Sequence, residues 1–251
     1  MVGLIGAGNL ARALARGWGE PVLCSDAGSG RAARLVAEVG GEAVASNAEL
    51  AQRAELVVLC HKPAQLEAVA EQVGGRARAV VSVLAMTPLA SVQAAYPGVA
   101  VVRALPNTPV EVRRGVVCLM VAPEVDPAVA SGVRERFGRL GKVIEMEDHQ
   151  IDLAMAVMGN TPAYVALLVE AQVDAAVKHG MAAPRAAELF VETLSGTAEL
   201  LAARGYDTLA VRREVTSPGG STARGLATLE AAGLRAAFVD ALAAALGEPA
   251  R

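Results

Sequence analysis

Short apolar runs alternate with longer helix-like segments through the first 145 residues of the chain. The runs are continuous rather than alternating with polar positions, which indicates strands buried on both faces. Strands separated by helices predict a parallel sheet covered by helices. The runs predicted as strands are residues 1–5, 21–26, 42–46, 55–63, 78–85, 99–107, 115–123 and 142–146.

The alternation of predicted strands and helices stops at about Asp148, and no strand pattern follows Met146. The later segments have helical spacing. The main predicted helices there are residues 149–159, 162–180, 184–205 and 223–247. We therefore expect an α/β N-terminal domain over residues 1–147 and an all-α C-terminal domain over residues 148–251.

The second of these C-terminal helices is apolar on more than one face. The apolar residues that cover most of its turn are Tyr164, Val165, Leu167, Leu168, Val169 and Val173. A surface helix of a monomer has one apolar stripe, and a small helical domain has little interior to bury more. We expect a homodimer formed through this domain, and the alternative is a compact helical bundle packed on the sheet.

Charge and composition exclude several classes of partner. The formal net charge is −3 and aromatic residues make up 3% of the chain. A protein that binds nucleic acid needs a basic surface or stacking aromatic residues, so no nucleic acid is expected. No window approaches the roughly 18 uncharged apolar residues of a membrane span, and no signal peptide precedes the first strand, so no membrane partner is expected.

The cysteines and histidines indicate neither disulfides nor a metal. Cys24, Cys60 and Cys118 are far apart and lie in apolar runs, which favours free thiols in a reducing compartment. The three histidines lack the spacing of metal ligands. We expect a cytoplasmic protein without a metal site.

A glycine-rich turn joins the first predicted strand to the first helix. Gly6, Gly8 and Ala11 form a G-x-G-x-x-A pattern within GLIGAGNLARAL. In this context the pattern predicts a Rossmann dinucleotide-binding domain: Gly6 makes the tight turn, Gly8 leaves room for a pyrophosphate, and Ala11 packs the helix on the strand. The N–H groups of Asn9 and Leu10 then face the phosphates.

The end of the second strand carries the residues expected to select the cofactor. Asp26 lies 20 residues after Gly6 (26 − 6 = 20), where an acid accepts hydrogen bonds from ribose hydroxyls and favours NADH. Ser25, Ser29 and Arg31 are close to it, and they suit the 2′-phosphate of NADPH. The pattern favours NADH weakly and leaves NADPH open, and a simple turn residue is the third interpretation of Asp26.

Other polar residues follow strands at the same edge of the sheet. Asn47 opens a short helix, where it either caps the helix or contacts the cofactor ribose. His61, Lys62 and Pro63 end the fourth strand, where ligands bind in open parallel sheets. A histidine or lysine there suits a proton donor, and an exposed loop charge is the alternative.

A rigid loop follows the strand at residues 99–107. Pro106 and Pro109 bracket Asn107 and Thr108, and both prolines disfavour helix. We interpret this loop as a preorganised wall of the nicotinamide site that includes Asn107. A purely structural turn is the alternative.

Five motifs occur in order along the chain: GAGNLA, HKP, LPNTP, PAY, and TSPGGST followed by GLATLEAAGLR. Together they resemble the pyrroline-5-carboxylate reductase family over nearly the whole chain. The resemblance implies a helical C-terminal domain that interlocks in a homodimer, with dimers often assembling into decamers. It also implies hydride transfer from NADPH or NADH to the C=N carbon of 1-pyrroline-5-carboxylate, which gives L-proline.

The segment TSPGGST is expected to hold the substrate in such an enzyme. The substrate-binding residues implied are Ser217, Gly219, Gly220, Ser221 and Thr222. Successive N–H groups at the start of a helix form a concavity that binds a carboxylate. The resemblance assigns the Thr222 hydroxyl to the ring nitrogen as the catalytic contact, and its alternative role is a helix cap.

One segment departs from the family pattern. The family usually has Gly-Ser-Gly-Pro before the helix that begins PAY, whereas this chain has Gly159, Asn160, Thr161 and Pro162. Asn160 is expected at the border of the substrate pocket, where a larger side chain narrows the pocket or adds hydrogen bonds. The departure bears on the exact substrate more than on the reaction type.

Two other functions remain open from the sequence. A related imine reductase or a β-hydroxy-acid dehydrogenase would share both domains. Such enzymes typically rely on a lysine in the helical domain, where Lys178 is the only lysine after residue 142. A non-catalytic nucleotide-sensing dimer would bind the cofactor without turnover.

Overall fold

The computed structural model describes residues 1–248. The chain forms two compact units, Met1–Pro162 and Ala163–Arg251. The described part of the first unit contains strands and helices, and that of the second contains helices alone. The expected α/β domain followed by a helical domain is confirmed.

Eight strands form a single sheet in the first unit, and each corresponds to a run predicted from the sequence. Their bounds are β1 (Val2–Ile5), β2 (Val22–Ser25), β3 (Gly41–Ala43), β4 (Leu56–Leu59), β5 (Ala79–Ser82), β6 (Ala100–Pro106), β7 (Gly115–Val121) and β8 (Gly141–Glu145). The order across the sheet is β3-β2-β1-β4-β5-β6-β7-β8. The strand order therefore reverses between β1 and β4, which is where open α/β sheets bind ligands.

The pairing of β6 with β7 is antiparallel, which corrects the expectation of a wholly parallel sheet. Val102 pairs with Val121, and Pro106 pairs with Val117. The connection between these strands contains only a short 3₁₀ turn, Thr108–Val112. A parallel pairing requires a crossover of about a dozen residues or more, so the chain here turns straight back.

Helices connect the strands of the first unit and follow β8. Their bounds are α1 (Asn9–Trp18), α2 (Arg31–Val39), α3 (Asn47–Arg53), α4 (Leu66–Val73), α5 (Leu89–Ala95), α6 (Pro127–Gly138) and α7 (Asp148–Met158). Every residue of β1, β2, β4 and β5 is buried. Because successive side chains point to opposite faces of a sheet, both faces of these strands are covered.

A buried arginine attaches α7 to the sheet. Arg103 in β6 is fully buried, and its guanidinium donates to Asp148 at 2.9 Å and to Asp152 at 2.7 Å. The second oxygen of Asp148 accepts from the N–H of Leu89 at 3.1 Å. Breaking a buried pair leaves an uncompensated charge, so α7 is firmly tied to β6. This explains why the first compact unit extends to Pro162, beyond the boundary expected after residue 147.

The described residues of the second unit form helices joined by short turns. Its helices are α8 (Thr161–Lys178), which starts at the end of the first unit, α9 (Ala183–Ala203), α10 (Thr208–Glu214), α11 (Ser221–Ala231) and α12 (Leu234–Ala245). The last predicted helix is in fact two helices, because Gly233 adopts the left-handed conformation with φ 78°. The short α10 was not predicted. Asp207 caps it by accepting from the N–H groups of Leu209 and Ala210.

The helices α8–α12 bury little of their apolar surface within the chain. Ala186 and Val211 are the only buried residues of these helices as the structure describes them. Leu167 is 65% exposed, Phe238 55% and Val239 59%. Apolar surface of this extent marks an interaction surface. It agrees with the expectation that this domain associates with another chain.

One described stretch is long and apolar enough to cross a membrane. Asp148–Lys178 spans 31 residues and contains an 18-residue window with a mean hydropathy of 1.4. The sequence-based statement that no window approaches a membrane span is therefore wrong in terms of length and composition. Those criteria alone are weak support for a membrane span, since core helices of soluble proteins also meet them. The stretch consists of two helices, α7 and α8, which meet at Gly159 and Asn160.

Candidate functional site

The turn between β1 and α1 packs directly against the end of β4. Gly6 has φ 100°, and a Cβ atom there would lie 2.7 Å from the carbonyl oxygen of Cys60 and 2.9 Å from the nitrogen of His61. The N–H of Gly6 donates to the carbonyl of Ser25 at 2.9 Å. Only glycine fits this close approach and this backbone conformation. The turn therefore joins the ends of β1, β2 and β4.

The start of α1 is open and lacks a cap. Gly8 is the N-cap residue, no side chain caps the helix, and its first turn contains no acidic residue. A Cβ atom on Gly8 would meet nothing within 4 Å. Ala11 is fully buried, as expected for helix–strand packing. The unpaired N–H groups of the first turn, which include those of Asn9 and Leu10, attract an anion through the helix dipole.

A cleft of about 770 Å³ opens at the carboxyl edge of β1, β2 and β4. The predicted site residues that line it are Gly6, Gly8, Ser25, Asp26, Asn47, His61 and Lys62. A second concavity of about 420 Å³ also contains Gly8, together with Asn9, Arg12, Arg31 and Arg34. Leu10, Ala11, Pro63 and Asn107 line neither of these two spaces. The structure thus brings most of the predicted cofactor residues together.

Asp26 organises the loop between β2 and α2. Its Oδ2 accepts from the Ser29 hydroxyl at 2.7 Å and from the N–H groups of Arg31 and Ala32 at 2.7 and 3.0 Å. Its Oδ1 accepts from the N–H of Gly28 at 3.0 Å. Partial burial raises the pKa of this carboxyl, but these hydrogen bonds outweigh burial and hold the pKa below its usual range. Both oxygens of Asp26 are therefore engaged, by its own loop and by the first turn of α2.

Asn47 is held by neighbours on two other elements. Its Oδ1 accepts from the Ser25 hydroxyl at 2.6 Å, and its Nδ2 donates to Oε1 of Gln72 at 2.6 Å. The cap of α3 is Ser46, whose Oγ accepts from the N–H of Glu49 at 3.1 Å. The side chain of Asn47 lies in the cleft wall, and Ser46 rather than Asn47 caps α3.

His61 lies in the cleft wall as a neutral imidazole. Its Nδ1 is 2.9 Å from the Lys62 carbonyl, so Nδ1 carries the proton and Nε2 is an acceptor. Burial lowers the pKa of His61. Nε2 is buried and has no hydrogen-bond partner within the described chain. An acceptor of this kind does not fit a proton donor, and it suits a ligand that brings its own hydroxyl.

Lys62 and Pro63 follow His61 on the way to α4. The side chain of Lys62 is exposed, and Pro63 begins a short 3₁₀ turn, Pro63–Gln65. The N–H of Lys62 donates to Oε1 of Gln65 at 3.3 Å. Proline at the first position of such a turn supplies the required φ angle. Pro63 is thus a turn residue here, and Lys62 contributes charge to the rim of the cleft.

The rigid loop after β6 is held by the side chain of Asn107. Its Oδ1 accepts from the N–H of Val116 at 2.8 Å, and its Nδ2 donates to the carbonyl of Met158 at 3.2 Å. The first bond ties the loop to β7, and the second ties it to the last turn of α7. The carboxamide of Asn107 therefore holds the loop in place, which agrees with the alternative of a structural turn, and its predicted place in a nicotinamide-site wall stays a prediction.

The thiols near the cleft are not reactive groups. All three cysteines are free. Burial raises the pKa of Cys24 to about 12, and burial also raises the pKa of Cys60, which lines the cleft. A thiol with a raised pKa stays protonated and is a poor nucleophile. Across residues 1–248, no group of three or more His, Cys, Asp or Glu side chains is arranged to hold a metal ion.

Sequence reasoning missed the contribution of α4 to the cleft. Ala68, Val69 and Gln72 of α4 line it, together with Gln65, which ends the 3₁₀ turn before α4. The two glutamines are seven positions apart (72 − 65 = 7), a spacing that recurs on one side of a helix. That spacing was the available signal, but no motif connects Gln72 with the strand ends.

In the second unit, the segment TSPGGST forms a tight turn followed by a helix start. The N–H of Gly220 donates to the carbonyl of Ser217 at 3.1 Å, with Pro218 and Gly219 between them. Gly219 has φ 69°, so Pro218 and Gly219 occupy the positions that a type II turn requires. A Cβ atom on Gly220 would collide with the hydroxyl oxygen of Ser217.

The start of α11 is another uncapped helix terminus. Gly220 is its N-cap residue, no side chain caps it, and its first turn has no acidic residue. Ser221 and Thr222 are the first two residues of the helix, and both are exposed. Thr222 is therefore not the N-cap residue. The free N–H groups of this first turn have the arrangement that binds a carboxylate.

Asn160 lies at the junction between α7 and α8. Its Nδ2 donates to the carbonyl of Ala156 at 3.3 Å, and the hydroxyl of Thr161 donates to the carbonyl of Val157. Both side chains thus satisfy carbonyl groups in the last turn of α7. The polar pair that replaces the small residues of the family pattern has a local structural role.

Sequence comparisons cover both units. Residues 148–249 match the profile described as "Pyrroline-5-carboxylate reductase dimerisation". Residues 1–86 match the profile described as "NADP oxidoreductase coenzyme F420-dependent". The helical second unit is therefore an oligomerisation domain, and the first unit begins with a nucleotide-binding oxidoreductase domain.

Relatives of known activity match along most of the chain. The pyrroline-5-carboxylate reductase of Synechocystis sp. is 36% identical over 79% of this chain and 75% of its own length. That of Pseudomonas aeruginosa is 34% identical over 97% of this chain and 93% of its own. The structure of the Coxiella burnetii pyrroline-5-carboxylate reductase superposes with a TM-score of 0.84 at 28% identity, over 98% of this chain and 96% of that one.

Alanine substitutions at the two glycines of the turn should have different effects. Gly6→Ala places a Cβ atom against the Cys60 carbonyl at a strained φ angle, so it should lower the free energy of unfolding by about 2–4 kcal/mol. Gly8→Ala meets no protein atom and should leave unfolding unchanged, while it raises the dissociation constant for the dinucleotide at least tenfold. Denaturant titration and NADPH titration measure the two effects. Equal unfolding curves for both variants would contradict the assigned roles.

Proposed function

The chain belongs to the pyrroline-5-carboxylate reductase family, and from that premise we propose that it reduces 1-pyrroline-5-carboxylate to L-proline with NAD(P)H. The observation that carries this proposal is that each unit has a glycine-containing turn followed by a helix start without a capping side chain. One follows the Gly6–Gly8 turn, and the other follows the Ser217–Gly220 turn. The first suits a pyrophosphate, and the second suits the carboxylate of the substrate.

The first unit holds the cofactor. The N–H groups at the start of α1 take the pyrophosphate, and the wall formed by Ser25, Asn47 and His61 takes the adenosine ribose. The orphaned Nε2 of His61 and the open space above Gly8 fit such a ligand. When bound, NAD(P)H supplies a hydride to the substrate.

The substrate needs few catalytic groups from the protein. A cyclic imine is readily protonated, and an iminium carbon accepts hydride without a strong acid in the enzyme. The site residues here include no Ser-His-Asp set and no carboxylate pair. Catalysis is therefore mainly positioning, which holds the reacting carbon in line for hydride transfer.

The loop in the second unit fixes the substrate by its carboxylate. The N–H groups of Ser221 and Thr222 stand at the positive end of α11 and have no capping side chain. The N–H of Gly220 is used within the turn, where it donates to the Ser217 carbonyl, so the predicted part of Gly220 in carboxylate binding is limited to shaping this turn. The turn at Pro218 and Gly219 sets the direction of these groups. We assign the Thr222 hydroxyl to the ring nitrogen, where it stabilises the position of the imine.

The ribose end of the cleft favours NADPH over NADH. Both oxygens of Asp26 are engaged by its loop and by the first turn of α2, so this carboxylate offers little to ribose hydroxyls. The side chains of Arg31 and Arg34 make no ion pair within residues 1–248 and line the adjoining concavity. A guanidinium without a partner is the counter-charge that a 2′-phosphate needs. We therefore assign the 2′-phosphate to Arg31, in place of the weak preference for NADH.

Association of the second unit with a second copy of the chain accounts for its exposed apolar helices. The described residues of α8–α12 bury two side chains, and the match to a dimerisation domain covers them. The assembly we propose is a homodimer, with a decamer built from such dimers as the further step. The free cysteines support a cytoplasmic location.

The proposed reaction is tested with a panel of substrates. The purified chain is mixed with NADPH or NADH and with pyrroline-5-carboxylate, an acyclic imine or a 3-oxo acid, and loss of the reduced cofactor is followed spectroscopically. We expect turnover with pyrroline-5-carboxylate and little with the others. Preferred turnover of the 3-oxo acid would favour a β-hydroxy-acid dehydrogenase, and binding without turnover would favour a nucleotide sensor.

Substitution of Thr222 tests its contact with the imine. Thr222→Ala should lower kcat/KM for pyrroline-5-carboxylate by about tenfold to a hundredfold, which is the loss of one hydrogen bond or slightly more. Thr222→Ser keeps the hydroxyl and should retain most of the activity. Because Thr222 is exposed, thermal unfolding should be unchanged in both variants. An unchanged kcat/KM in Thr222→Ala would contradict the role assigned to Thr222.

Cofactor choice is tested at the β2–α2 loop. Arg31→Met should raise KM for NADPH about tenfold, while KM for NADH changes by less than about twofold. Asp26→Ala should weaken the binding of both cofactors to a similar extent, because the loop loses the hydrogen bonds that hold it. The matched control is Arg78→Met, which lies just before β5 and outside the cleft. A selective gain in NADPH use by Asp26→Ala would show that the carboxylate faces the ribose.

A further inference from the structure

Three side chains from different elements form a hydrogen-bonded chain along one wall of the cleft. The Ser25 hydroxyl, at the end of β2, donates to Oδ1 of Asn47 at 2.6 Å. Nδ2 of Asn47, at the start of α3, donates to Oε1 of Gln72 at 2.6 Å. All three line the same cleft. Asn47 is therefore held from two sides, by the end of a strand and by α4.

Packing does not hold the Gln72 side chain in the position in which it makes this bond. Gln72 is exposed and is the next-to-last residue of α4. An exposed glutamine loses rotamer freedom when its amide is held in one place. Its carboxamide makes no other hydrogen bond in the described structure. The contact with Asn47 is thus the specific interaction that this side chain makes.

The chain of bonds leaves donors available at the ribose end. After these contacts, Asn47 keeps one N–H of its amide, and Gln72 keeps its amide NH₂ group. The Ser25 hydroxyl proton is used on Asn47. Donors at this wall suit the oxygen atoms of a ribose or of its phosphate. The contribution of these donors to the affinity for the ligand depends on whether the Asn47 side chain keeps its position when the ligand binds.

We propose that Gln72 is a positioning residue for the dinucleotide: it clamps the Asn47 side chain against Ser25, so that Asn47 meets the adenosine ribose without reordering. This inference rests on the proposed use of NAD(P)H. Gln72 acts through Asn47 rather than by an independent contact. A side chain that is ordered before binding loses less entropy on binding, and affinity rises accordingly.

The test is a double-mutant cycle on cofactor binding. The variants are Gln72→Met, Asn47→Ala and the double variant. Methionine has the length and helix propensity of glutamine but lacks the strong acceptor. The dissociation constant for NADPH is measured from the change in its fluorescence, without any imine substrate. The matched control is Gln93→Met on α5, which also loses a 2.6 Å side-chain hydrogen bond, to Glu124, outside the cleft.

The expected result is a loss of affinity that depends on Asn47. Gln72→Met should raise the dissociation constant about threefold to tenfold, with unchanged melting temperature and unchanged kcat at saturating NADPH. In the Asn47→Ala background the same substitution should raise the dissociation constant by less than about twofold. Gln93→Met should bind NADPH as the unaltered chain does.

Two results would overturn the positioning role. The first is an unchanged dissociation constant in Gln72→Met. The second is an equal increase in both backgrounds, which would assign Gln72 an independent contact with the cofactor. Because binding is measured without substrate, an unaltered chain that binds NADPH but does not reduce pyrroline-5-carboxylate would contradict the proposed reaction and leave the clamp supported.

Discussion

The cofactor site depends on the close packing of Gly6 against the backbone of Cys60 and His61. This contact brings the β1–α1 turn onto the end of β4, at the point where the strand order reverses. A side chain at Gly6 would separate the two, and the helix start above Gly8 would shift with it. The place of the α1 N-terminus beside His61 follows from this one approach. Backbone geometry thus sets the position of this part of the cleft.

The second unit poses a different physical problem, because its helices cannot bury their apolar faces alone. Ala186 and Val211 are the only side chains of α8–α12 that the described structure buries, and Leu167 is left 65% exposed. Exposed apolar surface of this kind favours association at roughly 25 cal/mol per Å² removed from water. Subunit association is therefore part of how this domain becomes stable. The start of α11, which we assign to the substrate, belongs to the same domain.

The sequence predicted the strands and the nucleotide turn because their signals are local. Apolar runs overlapped all eight strands, and the strand–glycine–helix context marked Gly6 and Gly8. Burial on both faces does not extend to the edge strands β3 and β8, which carry charged residues and are largely exposed. The antiparallel β6–β7 pair was missed because it depends on the absence of a helix between two strong strand signals. The bonding of Asp26 depends on how its loop folds back, which spacing alone does not encode. Gln72 was missed because its role arises from contacts between β2, α3 and α4, which lie far apart in the sequence. The substrate and cofactor roles of individual residues remain predictions.

The central claim is that this chain transfers hydride from the cofactor to the ring carbon of a cyclic imine. The most direct measurement uses NADPH that carries deuterium at the transferred position of the nicotinamide, with pyrroline-5-carboxylate as substrate. The account predicts L-proline with one deuterium at C5, observed by NMR and mass spectrometry, in an amount equal to the cofactor oxidised. Cofactor oxidation without deuterated proline, or no proline at all, would contradict it.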